Sequence, residues 1–212
     1  MSAPSSAIAT ASDTPVVTPS LTWPARPPVV LILAAGAGER FRAAGGAQHK
    51  LQAPFVREGV TRTVLEHVVA TAQASGLPWH VISAEATAHH SVQGMGTSIA
   101  TGVAATPEAG GWLVLPGDLP LIRSDTLQAV AQALREHAVV VPVVQGQRGH
   151  PVGFGHDCRS ALLALRGDQG ARQVLLQHSA WMLALDDVGC IVDVDTPDLL
   201  QQAQRLSPQS RA

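Results

Sequence analysis

Tyrosine is absent from the 212-residue chain, and only 3 Phe and 4 Trp are present. Stacking platforms for single-stranded nucleic acid are therefore scarce. Charge is equally thin: 14 Lys and Arg against 16 Asp and Glu give a formal net charge of −2. That balance argues against a duplex-binding face, and no nucleic-acid partner is expected. The cysteines are Cys158 and Cys190, with no CxxC. They read as two packed thiols in a reducing compartment, with one disulfide as the alternative. No apolar run reaches the roughly 18–20 residues of a membrane span. The opening MSAPSSAIATASDTPVVTPSLTWPARPP lacks a basic stretch followed by a continuous apolar one, so it does not read as a signal peptide. Residues 1–27 and 207–212 are expected to be flexible tails, and the location cytoplasmic.

What is present is aliphatic. With 46% apolar and 14% charged residues, the chain has enough material for one sizeable core over residues 28–206. VVLILA (29–34), WHVIS (79–83), WLVLP (112–116) and AVVVPVV (138–144) are short continuous apolar runs, as strands buried on both faces require. Between them lie helical periodicities. Val64, Leu65, Val68, Val69 and Ala72 recur behind a Thr63/Glu66 capping box and before a Gly76 stop. A short helix is expected over Thr97–Ala105, and another from a Ser124 cap to His137.

QGQRG predicts a turn and HPVGF (150–154) a returning strand. Two short helical stretches follow, around Ser160–Leu165 and Gly170–His178. WMLALDD and CIVDVD resemble a strand hairpin, and Thr196–Pro197 opens a last helix. The expectation is an α/β fold: a single-domain, three-layer α/β/α architecture with a mixed, mostly parallel sheet.

Ligands on such sheets sit beyond the carboxyl ends of the strands. In LILAAGAGERF, Gly36 and Gly38 bare the backbone N–H groups to anionic oxygens, and Arg40 and Lys50 add charge-assisted bonds. Phe41 breaks the three-glycine dinucleotide fingerprint, and GGAQHKL is not a Walker A loop. In VLPGDLPLI, Asp118 follows a buried strand and a glycine, where a hard cation such as Mg2+ finds a carboxylate beside phosphate oxygens. His150, His156 and Cys158 suggest zinc but lack a fourth ligand at recognisable spacing, and His89 and His90 read as solvated.

LAAGAGERF…KL, GMGTSIATG, PGDLPLI, QRGHPVGF, LRGDQGARQVL and VDVDTPDLL stand in this order over residues 29–205. Together they resemble the molybdenum cofactor nucleotidyltransferases, and among them most the cytidylyltransferase branch. The resemblance implies transfer of CMP from CTP to the phosphate of molybdopterin bearing molybdenum, with release of pyrophosphate. It places Leu33, Ala34, Ala35, Gly36 and Gly38 along the nucleotide and Arg40 and Lys50 on the triphosphate. Gly94 and Ser98 fall near the base or ribose, and Arg148, His150 and Arg172 near the anionic cofactor. Asp118 binds Mg2+, with Asp195 as second carboxylate and Asp193 competing for that place. The implied partners are CTP or GTP, the molybdopterin cofactor and a molybdenum hydroxylase client.

Only AEATAHHSVQ separates the strand at 79–83 from GMGTS, too little for a helical crossover plus a further parallel strand. The family it resembles, with its nucleotide-diphospho-sugar-transferase-like fold, generally has a further helix and strand there. By that resemblance this sheet lacks an element or carries a very short one, on the side of the base and ribose. Three other readings compete. One is a related transferase using GTP or another phosphorylated acceptor, and one a noncatalytic cofactor-handling protein. The third is a nicotinamide-dependent oxidoreductase, which Phe41 disfavours.

Overall fold

The computed structural model describes residues 26–207; the expected tails lie, apart from their innermost residues, outside the described residues. Nine strands and eight α-helices are described. The strands are β1 (Val29–Ala34), β2 (Pro54–Arg57), β3 (Val60–Thr63), β4 (Trp79–Ser83) and β5 (Gly111–Pro116). They continue with β6 (Val139–Val144), β7 (Gln147–Arg148), β8 (Val152–Gly155) and β9 (Trp181–Ala184). The helices are α1 (Glu39–Ala43), α2 (Val64–Ala74), α3 (Ala84–Thr87) and α4 (Met95–Ala105). After them come α5 (Ser124–Ala133), α6 (Arg159–Leu163), α7 (Arg172–Gln177) and α8 (Pro197–Leu206).

β1 explains the layering. Its alternate residues Val29 and Leu31 pack with Ile82, Ile99, Trp112 and Val114 on one face of the sheet. Val30 and Ile32 pack with Val68, Leu113, Leu115 and Leu127 on the other. Both faces are covered, so the strand carries no polar alternation. α4, α6 and α7 contribute to the first face, and α2 and α5 to the second. The main sheet has the order β4-β1-β5-β8-β6-β7, with β9 also paired to β6. β4, β1 and β5 run parallel, as do β6 and β9, and β8 and β7 run antiparallel to their neighbours. The architecture is the expected α/β fold with a mixed, mostly parallel sheet.

β4 ends the sheet. Between it and α4 stand only the four-residue α3 and a turn, so the short AEATAHHSVQ segment means an absent strand. A third apolar cluster lies by the carboxyl end of β1, where β2, the start of α2 and α8 meet. Leu51, Phe55, Leu121 and Val194 belong to it, so one packing unit seats the loops that carry Lys50, Asp118 and Asp195.

Several expectations are corrected. The segment after β9 is not the second arm of a hairpin. β9 pairs in parallel with β6, and the chain then makes a 3-10 turn at Val188–Cys190 and runs without a ladder into α8. What replaces the ladder is the buried Asp187, which accepts from the Arg123 and Gly189 N–H groups and the Thr126 hydroxyl at 3.0, 3.0 and 2.6 Å. Arg123, whose N–H this carboxylate accepts, is the N-cap of α5, so Ser124 is the first residue of the helix and not its cap, and the α-helix ends at Ala133 rather than His137. Both cysteines are free and buried, which removes the disulfide alternative.

Asp187→Ala leaves three donors without their acceptor and frees the segment leading to Asp193 and Asp195. Urea unfolding is expected to show a loss of about 3 kcal/mol, as for a buried carboxylate with several hydrogen bonds. A loss below about 1 kcal/mol would mean that packing alone holds the turn.

Candidate active site

The parallel strands β1, β4 and β5 deliver their carboxyl ends to one place, with Ala34 beside Ser83 and Leu33 beside Pro116. There the Gly117 N–H donates to the Leu33 carbonyl at 3.0 Å, tying the loop after β5 to the end of β1. A cleft of about 1060 Å3 opens above this edge. The glycine turn (Gly36, Gly38, Arg40) and Asp118 line the same cleft, from opposite loops.

One end of the cleft is charged. The Lys50 ammonium donates to Asp118 Oδ2 at 2.5 Å and to Asp195 Oδ1 at 2.6 Å. The three side chains are only 15, 13 and 17% exposed. Arg40, at the rim and 81% exposed, pairs with the other oxygen of Asp195. Asp193 joins them: one oxygen from each of Asp118, Asp193 and Asp195 lies within 4.8 Å of the others. Among the described residues this is the cluster that brings three metal-ligating groups together. The Val194 N–H, between the two aspartates, donates to the Asp118 carbonyl at 3.0 Å and fixes the two loops to each other.

Burial alone would push the Lys50 ammonium down; the charge and hydrogen bond of Asp118, with those of Asp195, outweigh it and hold the pKa above the usual lysine value. Asp118 Oδ1 is buried with no hydrogen-bond partner, an acceptor left over once Lys50 has taken Oδ2. His150 shares this end. Burial pushes its ring below the ordinary histidine value, and the pull of Asp118 restores only part. Its Nδ1 has no partner. Cys190 also lines the cleft, but burial, reinforced by Asp187, pushes its thiol up to about 12, so it is not a nucleophile there.

The other end is built by two loops that interlock through their backbones. The Gly96 N–H donates to the Gly167 carbonyl at 2.7 Å, and the Gly167 N–H to the Thr97 hydroxyl at 3.0 Å. A Cβ on Gly94 would stand 2.3 Å from the Gly167 carbonyl carbon, and one on Gly96 2.4 Å from the Gln169 oxygen. Glycine is required at both positions for this approach, and Gly94 also has a positive φ of 141°. GMGTS and LRGDQG are therefore two halves of one wall.

Of the residues singled out in the sequence, Leu33, Ala35, Gly36, Gly38, Arg40, Lys50, Gly94, Ser98, Asp118, Arg148, His150 and Asp195 line the cleft. Two do not. Ala34 points the opposite way from Leu33 and packs against the third apolar cluster. Arg172 is exposed on α7 and is not in the cleft wall. Sequence reasoning missed Gln93, Met95 and Asp168, which line the cleft beside this glycine wall. Asp168 sits in the LRGDQGARQVL motif, four residues before Arg172. Among the described residues His150, His156 and Cys158 do not gather as a metal-ligating group; the His156 Nδ1–H donates to the Ala109 carbonyl at 3.0 Å and its ring stacks on Trp112.

A sheet edge with a glycine turn, paired cations and clustered carboxylates defines a nucleotide-handling α/β enzyme. The chain belongs to the MobA-like NTP transferase domain family, whose sequence profile matches residues 30–181. It is 32% identical over 149 residues to the bifunctional protein GlmU of Xylella fastidiosa (strain M23), covering 62% of this chain and 30% of that protein. The chain thus spans about a third of the length of the GlmU relatives it matches. It is 28% identical over 205 residues to the purine catabolism protein PucB of Bacillus subtilis (strain 168), covering 82% of this chain and 95% of that one. It is 27% identical over 106 residues to the molybdenum cofactor cytidylyltransferase of Escherichia coli (strain K12), covering 50% and 54%. Among solved structures, Rv0371c of Mycobacterium tuberculosis H37Rv superposes with a TM-score of 0.68 at 22% identity, covering 86% of this chain and 99% of that one. A second structure of that protein is a complex with manganese, at a TM-score of 0.64 and 21% identity. Among the described residues, no helix is long and apolar enough to cross a membrane.

The buried His150 gives the protein a pH signature. A histidine with a depressed folded-state pKa takes up its proton more readily in the unfolded chain. Its stability contribution is complete above about pH 6.5 and is lost as the pH falls below that. His67, also depressed by burial, adds to the effect. Melting temperatures measured from pH 7.5 to 5 are expected to fall below about pH 6.5, and to fall less in His150→Asn. Parallel curves for the two proteins would contradict the burial assigned to His150.

Proposed function

We propose that the protein transfers CMP from CTP to the terminal phosphate of molybdenum-bearing molybdopterin and releases pyrophosphate. The observation that carries this reading is the meeting of the glycine turn, Arg40, Lys50 and the three aspartates at one end of one cleft. Family membership supports nucleotidyl transfer, and the order of motifs together with the cytidylyltransferase relative supports the choice of CTP and acceptor. The cleft is also large enough for a nucleotide beside a second sizeable substrate.

An acceptor phosphate oxygen bonds to the α-phosphorus while the bond from that phosphorus to the β-phosphate oxygen breaks, and pyrophosphate leaves with the electron pair. The attacking oxygen is already anionic near neutral pH, so no side chain must remove a proton. Two anions must instead be held together, which is the task of positioning and electrostatics. Backbone N–H groups of the Gly36–Gly38 turn and the Arg40 guanidinium hold the phosphates. The Lys50 ammonium leaves the carboxylates for the triphosphate. Arg148 and His150, across the cleft, face the acceptor.

The donor set suits a hard cation: three carboxylates, one with a buried, unpartnered oxygen. Asp118 with Asp195 and Asp193 would hold Mg2+, which would supply charge neutralisation for the phosphates during transfer. A second reading is the same transfer from GTP or to another phosphorylated acceptor; the purine catabolism relative, matched over more of both chains than the cytidylyltransferase, supports only an acceptor other than molybdopterin.

Pyrophosphate release is to be measured with CTP and with GTP, in Mg2+ and molybdenum-loaded molybdopterin. The expected result is turnover with preference for CTP, reduced about 100- to 1000-fold in Asp118→Ala. Faster turnover with GTP selects the GTP form of the second reading, and no turnover with either nucleotide refutes molybdopterin as the acceptor. Lys50→Met removes the cation that competes with metal. Electron paramagnetic resonance is expected to show Mn2+ bound, without nucleotide, about tenfold more tightly than by the unaltered protein. Equal affinity would mean that Lys50 does not guard the carboxylates.

A further inference from the structure

The two phosphate-facing elements, the glycine turn and the Lys50 turn, are separated in sequence by the short helix α1 and a loop of small residues. One side chain joins them. His49 accepts the Leu51 N–H on Nδ1 at 3.3 Å, capping the 3-10 turn that begins at Lys50. Its Nε2 lies 2.8 Å from the Gly36 carbonyl. The chemistry of the partners fixes the tautomer. A nitrogen that accepts an N–H carries no proton, and a nitrogen that faces a carbonyl oxygen must carry one. His49 is thus a neutral ring protonated at Nε2, donating to Gly36 on one side and accepting from Leu51 on the other.

The glycines of the first turn divide their work around this ring. A Cβ on Gly36 would meet nothing within 4 Å, so that position is open to an approaching ligand. A Cβ on Gly38 would stand 3.1 Å from Cδ2 and Nε2 of His49, and Gly38 adopts a left-handed φ of 65° as it opens α1. Gly38 leaves room for the imidazole. His49 itself does not line the cleft; it stands behind the wall that Gly36, Lys50 and Leu51 form.

We infer that His49 is a positioning residue that clamps the anion-binding glycine turn to the Lys50 turn, so that both meet the nucleotide phosphates as one preformed unit. The inference rests on the nucleotidyltransferase reading for the identity of the ligand, but the clamp itself is a property of the ligand-free protein. Preformation matters because a loop ordered only on binding subtracts its ordering entropy from the affinity. The clamp also fixes the distance over which Lys50 must move from carboxylates to phosphates.

Two substitutions separate the bonds. The short amide of His49→Asn keeps an acceptor for the Leu51 N–H but cannot reach Gly36. The longer amide of His49→Gln places a donor near the position of Nε2 and restores that reach. Hydrogen exchange of the ligand-free proteins, read on the peptide covering residues 35–40, reports the clamp directly. His49→Asn is expected to speed exchange there about tenfold and His49→Gln to stay near the unaltered protein. Binding of CTP and of GTP in Mn2+ is then measured by calorimetry. His49→Asn is expected to weaken the bound nucleotide about tenfold, and His49→Gln less than about threefold, with melting temperatures of all three within about 2 °C.

Unchanged exchange in His49→Asn overturns the clamp. Faster exchange with unchanged nucleotide affinity overturns its positioning role, as does weakened binding in both variants that follows a general loss of thermal stability. If the unaltered protein binds neither nucleotide, the nucleotidyltransferase reading falls and the positioning role falls with it, while the exchange experiment still decides the clamp.

Discussion

The structure depends on one buried cation. Lys50 comes from the loop beyond β1, Asp118 from the loop beyond β5 and Asp195 from the approach to α8, and the ammonium between the two carboxylates joins all three. Neither carboxylate could be held so far from water alone, because an unpaired buried charge costs several kcal/mol. Lys50 makes the convergence affordable, and the third apolar cluster makes it unavoidable, since Leu51, Leu121 and Val194 pack together directly beside the three charged residues. The division of labour is plain. Apolar burial brings the loops to one place, and the ion pairs fix which atoms face the cleft.

The remainder of the cleft is built on a different principle. At its other end two glycine-rich loops approach backbone to backbone, with hydrogen bonds between Gly96, Thr97 and Gly167. The cleft therefore has a polarity: paired cations and clustered carboxylates at one end, and at the other a glycine wall with Gln93, Met95 and the lone carboxylate of Asp168. A nucleoside triphosphate has the same polarity. In the proposed reaction the triphosphate lies over the glycine turn and the base against the Gly94 wall, which leaves the side of Arg148 and His150 for the acceptor.

Much of this was legible in the sequence, for identifiable reasons. VVLILA could only be a strand buried on both faces, and the Thr63/Glu66 capping box announced α2 to the residue. Asp118 was legible because a carboxylate directly after a buried strand and a glycine has nowhere to stand but the sheet edge. The brevity of AEATAHHSVQ left two outcomes, a lost element or a very short strand beside β4, and among the described residues β4 is the edge of the sheet. Other features were not legible because they are set by partners distant in sequence. CIVDVD alternates like a strand, yet no neighbour offers it a ladder, and Asp187 ties the preceding turn to α5 instead. The inward facing of Leu33 and outward facing of Ala34 depend on the registers of β1 with β4 and β5. His49 carried no signal, since only the folded chain shows a ring spanning Gly36 and Leu51.

The central claim is that the glycine turn and the three aspartates meet on one metal–triphosphate. Anomalous diffraction from crystals grown with Mn2+ and a nonhydrolysable CTP analogue tests it directly. The account predicts a manganese peak among Asp118, Asp193 and Asp195, phosphates over Gly36 and Gly38, and the Lys50 ammonium moved from the carboxylates onto the phosphates. Lys50 still seated between Asp118 and Asp195, with metal and nucleotide bound elsewhere, would contradict it.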